Sequence, residues 1–123
     1  MTSSNSIRTG LAVTRMAVGA LSWVAPRTSA RAFGIDPDRS NGVVARLFGA
    51  RDLLLGTALL VADDEQLVPA AQLGAAADML DVLATGIEYR GGRASNWTLV
   101  SVGAGAATFA ALGVLLIRNA EGA

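Results

Sequence analysis

The chain has no cysteine, no histidine and no lysine among its 123 residues. Without cysteine there is no disulfide and no thiol nucleophile, and without cysteine and histidine the usual structural zinc sites are excluded. The lack of histidine also removes every catalytic triad that uses an imidazole base. The lack of lysine removes Schiff-base chemistry and the phosphate-binding P-loop. Any catalysis would therefore use carboxylates, guanidinium groups, hydroxyls, amides or the single tyrosine, and we expect no cofactor.

Charge of either sign is scarce as well. Charged residues make up 16% of the chain, ten arginines balance ten acids, and the net charge is zero. A balanced chain has no overall basic field that would hold nucleic acid, so no nucleic-acid partner is expected. Apolar residues make up 52% of the chain, which excludes a disordered protein. The length suits one domain, residues 1–123.

The apolar residues are concentrated in four long stretches. A helix needs about 20 mostly apolar residues to cross the hydrocarbon layer of a membrane, which is about 30 Å thick. The stretches that meet this length are residues 7–25, 42–62, 67–89 and 97–117. The sequence therefore predicts an all-α protein, a four-helix antiparallel transmembrane bundle in the plasma (inner) membrane. Residues 26–41, between the first two stretches, are expected to form a surface loop with a turn at Asp36-Pro37.

Two other interpretations of the stretches stay open. A soluble helical bundle would place its charges along solvent faces, but residues 97–117 offer only three hydroxyl side chains as a polar face. A cleaved signal peptide would use Arg8 and Arg15 as its basic region and residues 28–30 as its cleavage site. Cleavage there would leave three spans and an incomplete bundle.

The arginines outside the stretches predict an orientation. Five of them lie in the first and third connections: Arg27, Arg31, Arg39, Arg90 and Arg93. Only Arg8 and Arg118 lie on the opposite side, together with the acidic connection at residues 63–65. Since cytoplasmic loops carry the excess of basic residues, the first and third loops are expected in the cytoplasm and both termini outside.

Five charged residues lie well inside the apolar stretches: Arg15, Arg51, Asp52, Asp78 and Asp81. A charge near the bilayer centre costs at least about 2.5–3.5 kcal/mol, so these side chains should face the bundle interior and pair there. A hairpin around residues 63–65 brings Arg51 and Asp52 level with Asp78, and Asp81 lies one turn further. We expect Arg51 to pair with Asp78 or Asp81. Arg15 should pair with Asp52 or with the remaining aspartate of the third stretch.

Two arginines against three aspartates leave one carboxyl group in excess, and a medium of low dielectric favours its protonated form. A protonated acid beside an ionised one suits general acid–base catalysis. The candidate acid/base groups are thus Asp52, Asp78 and Asp81, with Arg51 and Arg15 as their electrostatic partners. The expected activity is that of an isomerase, cyclase or epoxide hydrolase acting on a lipophilic small molecule. No metal is expected, because Arg51 would compete for the same oxygens.

A non-catalytic role is the alternative interpretation. The same charges could fix helix packing, bind a partner or pass protons in a membrane subunit or small transporter. Four short helices enclose little volume, so a transporter would be expected to form a homodimer. Membrane lipid surrounds the chain in either case.

The chain also resembles a known family. The motifs are Pro26-Arg27, the segment Ala32-Phe33-Gly34-Ile35, and Arg46-Leu47-Phe48-Gly49-Ala50-Arg51-Asp52, followed by Gly56 and a third stretch that bears Asp78 and Asp81. They are similar to those of small four-helix membrane proteins, common in actinobacteria and also found in fungi, that have no assigned reaction. The resemblance covers nearly the whole chain, and Gly49-Ala50-Arg51-Asp52 is its most specific part. It implies a membrane bundle and no particular activity.

Overall fold

The computed structural model describes residues 2–39 and 41–121, with side chains from residue 5 onward, and within these ranges the chain is helical and has no strand. The helices are α1 (Thr2–Val24), α2 (Pro26–Ala32), α3 (Gly42–Val61), α4 (Asp64–Arg90) and α5 (Asn96–Glu121). The four long helices contain nearly all of the four apolar stretches, and the all-α prediction is confirmed. Two of them, α4 and α5, are long and apolar enough to cross a membrane.

The connection between α1 and α3 differs from the prediction in its first half. Pro26–Ala32 is a helix rather than a loop, and Pro26 occupies its first turn, where a missing N–H costs nothing. The turn at Asp36 is present, since a side-chain oxygen of Asp36 accepts from the backbone N–H of Asp38 at 2.9 Å. Arg27 donates to Asp38 at 2.8 Å, and this hydrogen bond holds the pKa of Asp38 below its usual value.

The acidic segment between α3 and α4 is mostly the first turn of α4. Asp63 caps that helix by accepting from the backbone N–H groups of Glu65 and Gln66. Acidic side chains are favourable there because they meet the positive end of the helix dipole. The C-terminal end of α3 is capped by Arg8 of α1. Arg8 donates to the carbonyl oxygens of Leu59 (2.8 Å), Leu60 (3.2 Å) and Ala62. The start of α1 is thereby fixed beside the turn.

The most extensive helix contact is the antiparallel pair α1–α3. Glycines make it possible: a Cβ atom at Gly49 would lie 2.6 Å from the carbonyl oxygen of Gly19, and one at Gly56 would lie 2.7 Å from that of Ala12. Real Cβ atoms do not approach backbone atoms this closely. The glycines therefore let the two backbones touch, as small residues do between membrane helices.

We expect Gly49→Ala to lower the free energy of unfolding by about 1–3 kcal/mol, because its methyl group must push α1 away from α3. Denaturant titration of the purified protein in detergent measures the change. Gly86→Ala is the matched control on α4, where a Cβ atom meets nothing within 4 Å. Its effect should be neutral or stabilising by up to about 1 kcal/mol, because alanine favours the helix. Equal stability of the two variants would contradict the close contact.

The second helix pair is α4–α5, also antiparallel. Gly113 of α5 lies beside Ala75 of α4, and Gly103 lies beside Thr85. Near its start α5 contains a π-helical segment, Leu99–Ala104. The contacts between the two pairs, α1 with α5 and α3 with α4, are much less extensive. Space is therefore left between the pairs.

Candidate functional site

Arg15 and Asp78 form the most buried charge pair among the described residues. Arg15 Nη1 donates to Asp78 Oδ1 at 2.9 Å and Nη2 donates to Asp78 Oδ2, so the pair is bidentate and joins α1 to α4. Only 3% of Arg15 and 2% of Asp78 are exposed. The guanidinium also lies 4.9 Å from the centre of the Phe109 ring. Gly74 makes room for it, since a Cβ atom there would lie 3.1 Å from Arg15 Nη2.

Arg51 and Asp81 form a second bidentate pair, which joins α3 to α4. Arg51 Nη1 donates to Asp81 Oδ1 at 3.0 Å and Nη2 donates to Asp81 Oδ2 at 2.8 Å. This pair is less buried, because 37% of the Arg51 side chain and 21% of the Asp81 side chain are exposed. The Arg51 guanidinium packs 5.0 Å from the ring centre of Phe48, one turn earlier on α3. The two ion pairs thus connect helices α1 and α3 to α4.

Asp52 is the aspartate to which neither arginine donates a hydrogen bond. It is 4% exposed and has no hydrogen bond within the described residues. Its Oδ1 atom lies 3.8 Å from Arg15 Nη1 and 4.0 Å from Arg51 Nη2. Both guanidinium groups donate their hydrogen bonds to the other two carboxylates. Among the five residues named from the sequence, Asp52 is therefore the one whose side chain is buried without a close partner.

A cavity of about 320 Å³ lies between the two helix pairs, and all three carboxylates reach its surface. The rest of the wall is mainly apolar; its members include Phe33, Phe48, Phe109, Val44, Val102 and Ala106. Arg15 and Arg51, which bind two of these carboxylates, do not themselves line the cavity. The result is an apolar cavity with an acidic surface at one level, of the size that takes small molecules. No set of three metal ligands is found in the described part of the chain.

The α2 segment and the residues after it close one end of the cavity. Ala30, Phe33 and Ile35 contribute to the wall. The segment is fastened to the start of α5 by two hydrogen bonds of 2.7 Å, from Trp97 Nε1 to the Ala32 carbonyl and from Thr98 Oγ1 to the Phe33 carbonyl. The chain turns away at Gly34, whose positive φ of 75° favours glycine.

The structure brings together all five residues named from the sequence, and it chooses between the pairings left open: Arg51 with Asp81, and Arg15 with Asp78. Sequence reasoning missed the aromatic wall. Phe48 precedes Arg51 by three residues and Asp52 by four, a spacing that places it on the same face of α3 and could have indicated it. No signal of this kind pointed to Phe33 or Phe109.

Comparisons of the chain with protein-family models, with curated proteins and with solved structures find no match. The resemblance to the small four-helix membrane proteins therefore stays a prediction.

Proposed function

We propose that α1, α3, α4 and α5 cross the plasma membrane as a four-helix antiparallel bundle. The support is an inverted distribution of side chains. The mid-helix residues Arg15, Asp52 and Asp78 are buried, whereas large apolar side chains such as Leu54 and Leu80 are more than half exposed. In water this arrangement would expose apolar surface on every long helix, and in lipid it is favourable. Most residues of the apolar windows in α4 and α5 are not buried, which supports lipid-facing helices over the core helices of a soluble protein.

The proposed orientation follows the arginines. The first and third loops would lie in the cytoplasm and both termini outside. The proposal also retains α1 in the mature protein instead of removing it as a signal peptide. Arg15 on α1 is the partner of Asp78, and removal of α1 would leave that buried carboxylate unpaired.

We further propose that the cavity takes a lipophilic small molecule and that Asp52 exchanges a proton with it. The observation that carries this proposal is the position of Asp52, which lines an apolar cavity and has no hydrogen-bond partner in the described chain. A carboxyl group in such surroundings favours its neutral form and can act as a general acid. The charges cancel within each of the two Arg–Asp pairs, so Asp52 is the excess acid.

The chemistry that fits is acid–base catalysis without a cofactor. The Asp52 carboxyl would donate its proton to an epoxide oxygen, a carbonyl or an olefin of the ligand. Asp81, which accepts two hydrogen bonds from Arg51, would accept a proton or orient a water molecule. In epoxide hydrolysis the ring C–O bond breaks as its oxygen takes the Asp52 proton, and a water molecule forms the new C–O bond while its proton passes to Asp81. In isomerisation or cyclisation the protonated ligand rearranges or forms a new ring bond and then loses a proton from carbon to Asp81. The screen that tests this activity incubates the protein in lipid nanodiscs with lipophilic epoxides, olefins and ketones, and identifies products by mass spectrometry.

The two Arg–Asp pairs also favour a structural role for their four residues, which for Asp81 would be in addition to the proton transfer described above. They join helices whose other contacts are sparse, as interhelical ion pairs do when they fix packing. If Asp52 also only supported packing, the protein would be a non-catalytic subunit or, as a homodimer, a small transporter. Asp52→Asn decides between these roles, because loss of folding indicates packing and loss of turnover alone indicates catalysis.

A further inference from the structure

Ser101 is a polar residue of the cavity wall that has no use in the chemistry above. Ser101 Oγ is completely covered and has no hydrogen-bond partner; in the described part of the chain this holds for only one other side-chain atom, Arg51 Nε. Ser101 lines the cavity, whereas Arg51 does not. Ser101 is therefore part of the wall that a ligand would contact.

The local backbone explains why this hydroxyl is free. Serine and threonine in a regular helix commonly donate to the carbonyl four residues earlier, as Thr108 of α5 does to Ala104 at 2.8 Å. Ser101 lies inside the π-helical segment Leu99–Ala104, and its hydroxyl makes no such bond. Short π-helical segments inside α-helices are frequent at functional sites. Here the segment leaves a polar side chain free in an otherwise apolar wall.

Ser101 and Asp52 lie at different depths of the cavity. Phe109 of α5 is level with Asp52, because both lie next to the Arg15 guanidinium. This group packs on the Phe109 ring and lies 3.8 Å from the Asp52 carboxylate. Ser101 precedes Phe109 by eight residues, which corresponds to about 10–12 Å along the helix at a rise of about 1.5 Å per residue. Between them the α5 wall is formed by small or apolar side chains such as Val102 and Ala106.

From this arrangement we propose that the ligand is an elongated lipophile with a polar group at each end, and that Ser101 is the residue that binds the end remote from Asp52. The remote group is an alcohol or carbonyl oxygen, since the serine hydroxyl can donate to either. The inference rests on the proposed function only in using the same cavity; it concerns binding and requires no turnover. A ligand of this class would satisfy both unpaired polar groups and fill the apolar space between them.

The test compares two probes with the same carbon chain, decanediol with a hydroxyl at each end and n-decane with none. Binding to the full chain in nanodiscs is measured by calorimetry, for the wild type and for Ser101→Ala. The substitution should weaken decanediol binding by about threefold to tenfold, the effect of one hydrogen bond, and leave n-decane binding unchanged. Thr108→Ala is the matched control on the same helix, and it should change neither affinity.

Ser101→Ala should also raise the thermal stability of the empty protein slightly or leave it unchanged, because no protein partner is lost. The proposal is overturned if the wild type shows no saturable binding of decanediol, if Ser101→Ala leaves that affinity unchanged, or if it weakens both probes equally. Asp52→Asn separates this proposal from the catalytic one. If Asp52→Asn abolishes turnover but Ser101→Ala still weakens decanediol binding in that variant, the binding inference is supported by itself. If the wild type shows turnover but Ser101→Ala leaves decanediol binding unchanged, only the binding inference is rejected.

Discussion

Asp52→Asn is expected to reduce turnover in the nanodisc assay by about two to four orders of magnitude, the usual contribution of a general acid or base. The amide has the shape of the carboxyl group but carries no transferable acidic proton. Asp52 makes no hydrogen bond in the described chain, and its two nearest cations lie at 3.8 and 4.0 Å. The substitution therefore removes little binding energy from the fold, and the free energy of unfolding should change by less than about 1 kcal/mol.

Asp81→Asn is the matched comparison for this result. It removes an acceptor of two hydrogen bonds from Arg51, so it should lower stability measurably, unlike Asp52→Asn. Full turnover in the Asp52→Asn variant would contradict the catalytic assignment. Loss of folding in that variant would assign Asp52 to helix packing and favour the non-catalytic subunit.

Arg15→Leu is expected to lower the free energy of unfolding by about 3–5 kcal/mol, the cost of leaving a buried charge without its partner. Arg15 donates two hydrogen bonds to Asp78, is the nearer cation to Asp52, and packs on Phe109. Its removal leaves two carboxyl groups together in a buried site. Denaturant titration in detergent provides the measurement.

Two further variants make the Arg15 result specific. The double variant Arg15→Leu/Asp78→Leu should recover most of the loss, because replacing both partners by apolar groups leaves no buried charge unpaired. Arg39→Leu removes an arginine whose side chain is 90% exposed and should stay within about 0.5 kcal/mol of the wild type. A double variant as unstable as the single one would show that the Arg15–Asp78 pair does not carry the effect.

The long helices were predictable because long apolar stretches have a strong signal in composition and length. Residues 42–62 correspond to α3 within one residue at its end. The limits of α4 were less accurate, because Asp64 and Glu65 are polar enough to suggest a turn although Asp63 caps a helix that already contains them. Residues 26–32 look polar and begin with a proline. Their helix is held by contacts with α1 and α3 and by the hydrogen bond from Trp97 of α5, none of which a local pattern reveals.

The charge cluster was predictable for a different reason. A charge within an apolar stretch is costly unless it is buried against a partner, so five of them in one chain are expected to pair with one another. Which arginine binds which aspartate depends on how far each helix is rotated, and α1 packs against α3 through glycines whose contact partners the sequence does not reveal. For the same reason the sequence could not show that Asp52 is the carboxylate left over. The cavity, its aromatic wall and Ser101 depend on packing between distant segments.

Lipid around the four long helices is the claim on which the charge cluster, the cavity and the acid all depend. The natural absence of cysteine allows a direct test with single cysteines and a membrane-impermeant maleimide. Leu54 on α3 and Leu80 on α4 are 69% and 66% exposed, so the protein itself does not cover them. Arg39 and Glu65 are exposed residues at opposite ends of the helices and report the two sides of the membrane.

In intact cells we expect labelling of Glu65→Cys alone. Permeabilised cells should add Arg39→Cys, and Leu54→Cys and Leu80→Cys should react only after the membrane is dissolved and the protein unfolded. Rapid labelling of Leu54→Cys and Leu80→Cys in native membranes would place these helices in water and contradict the account.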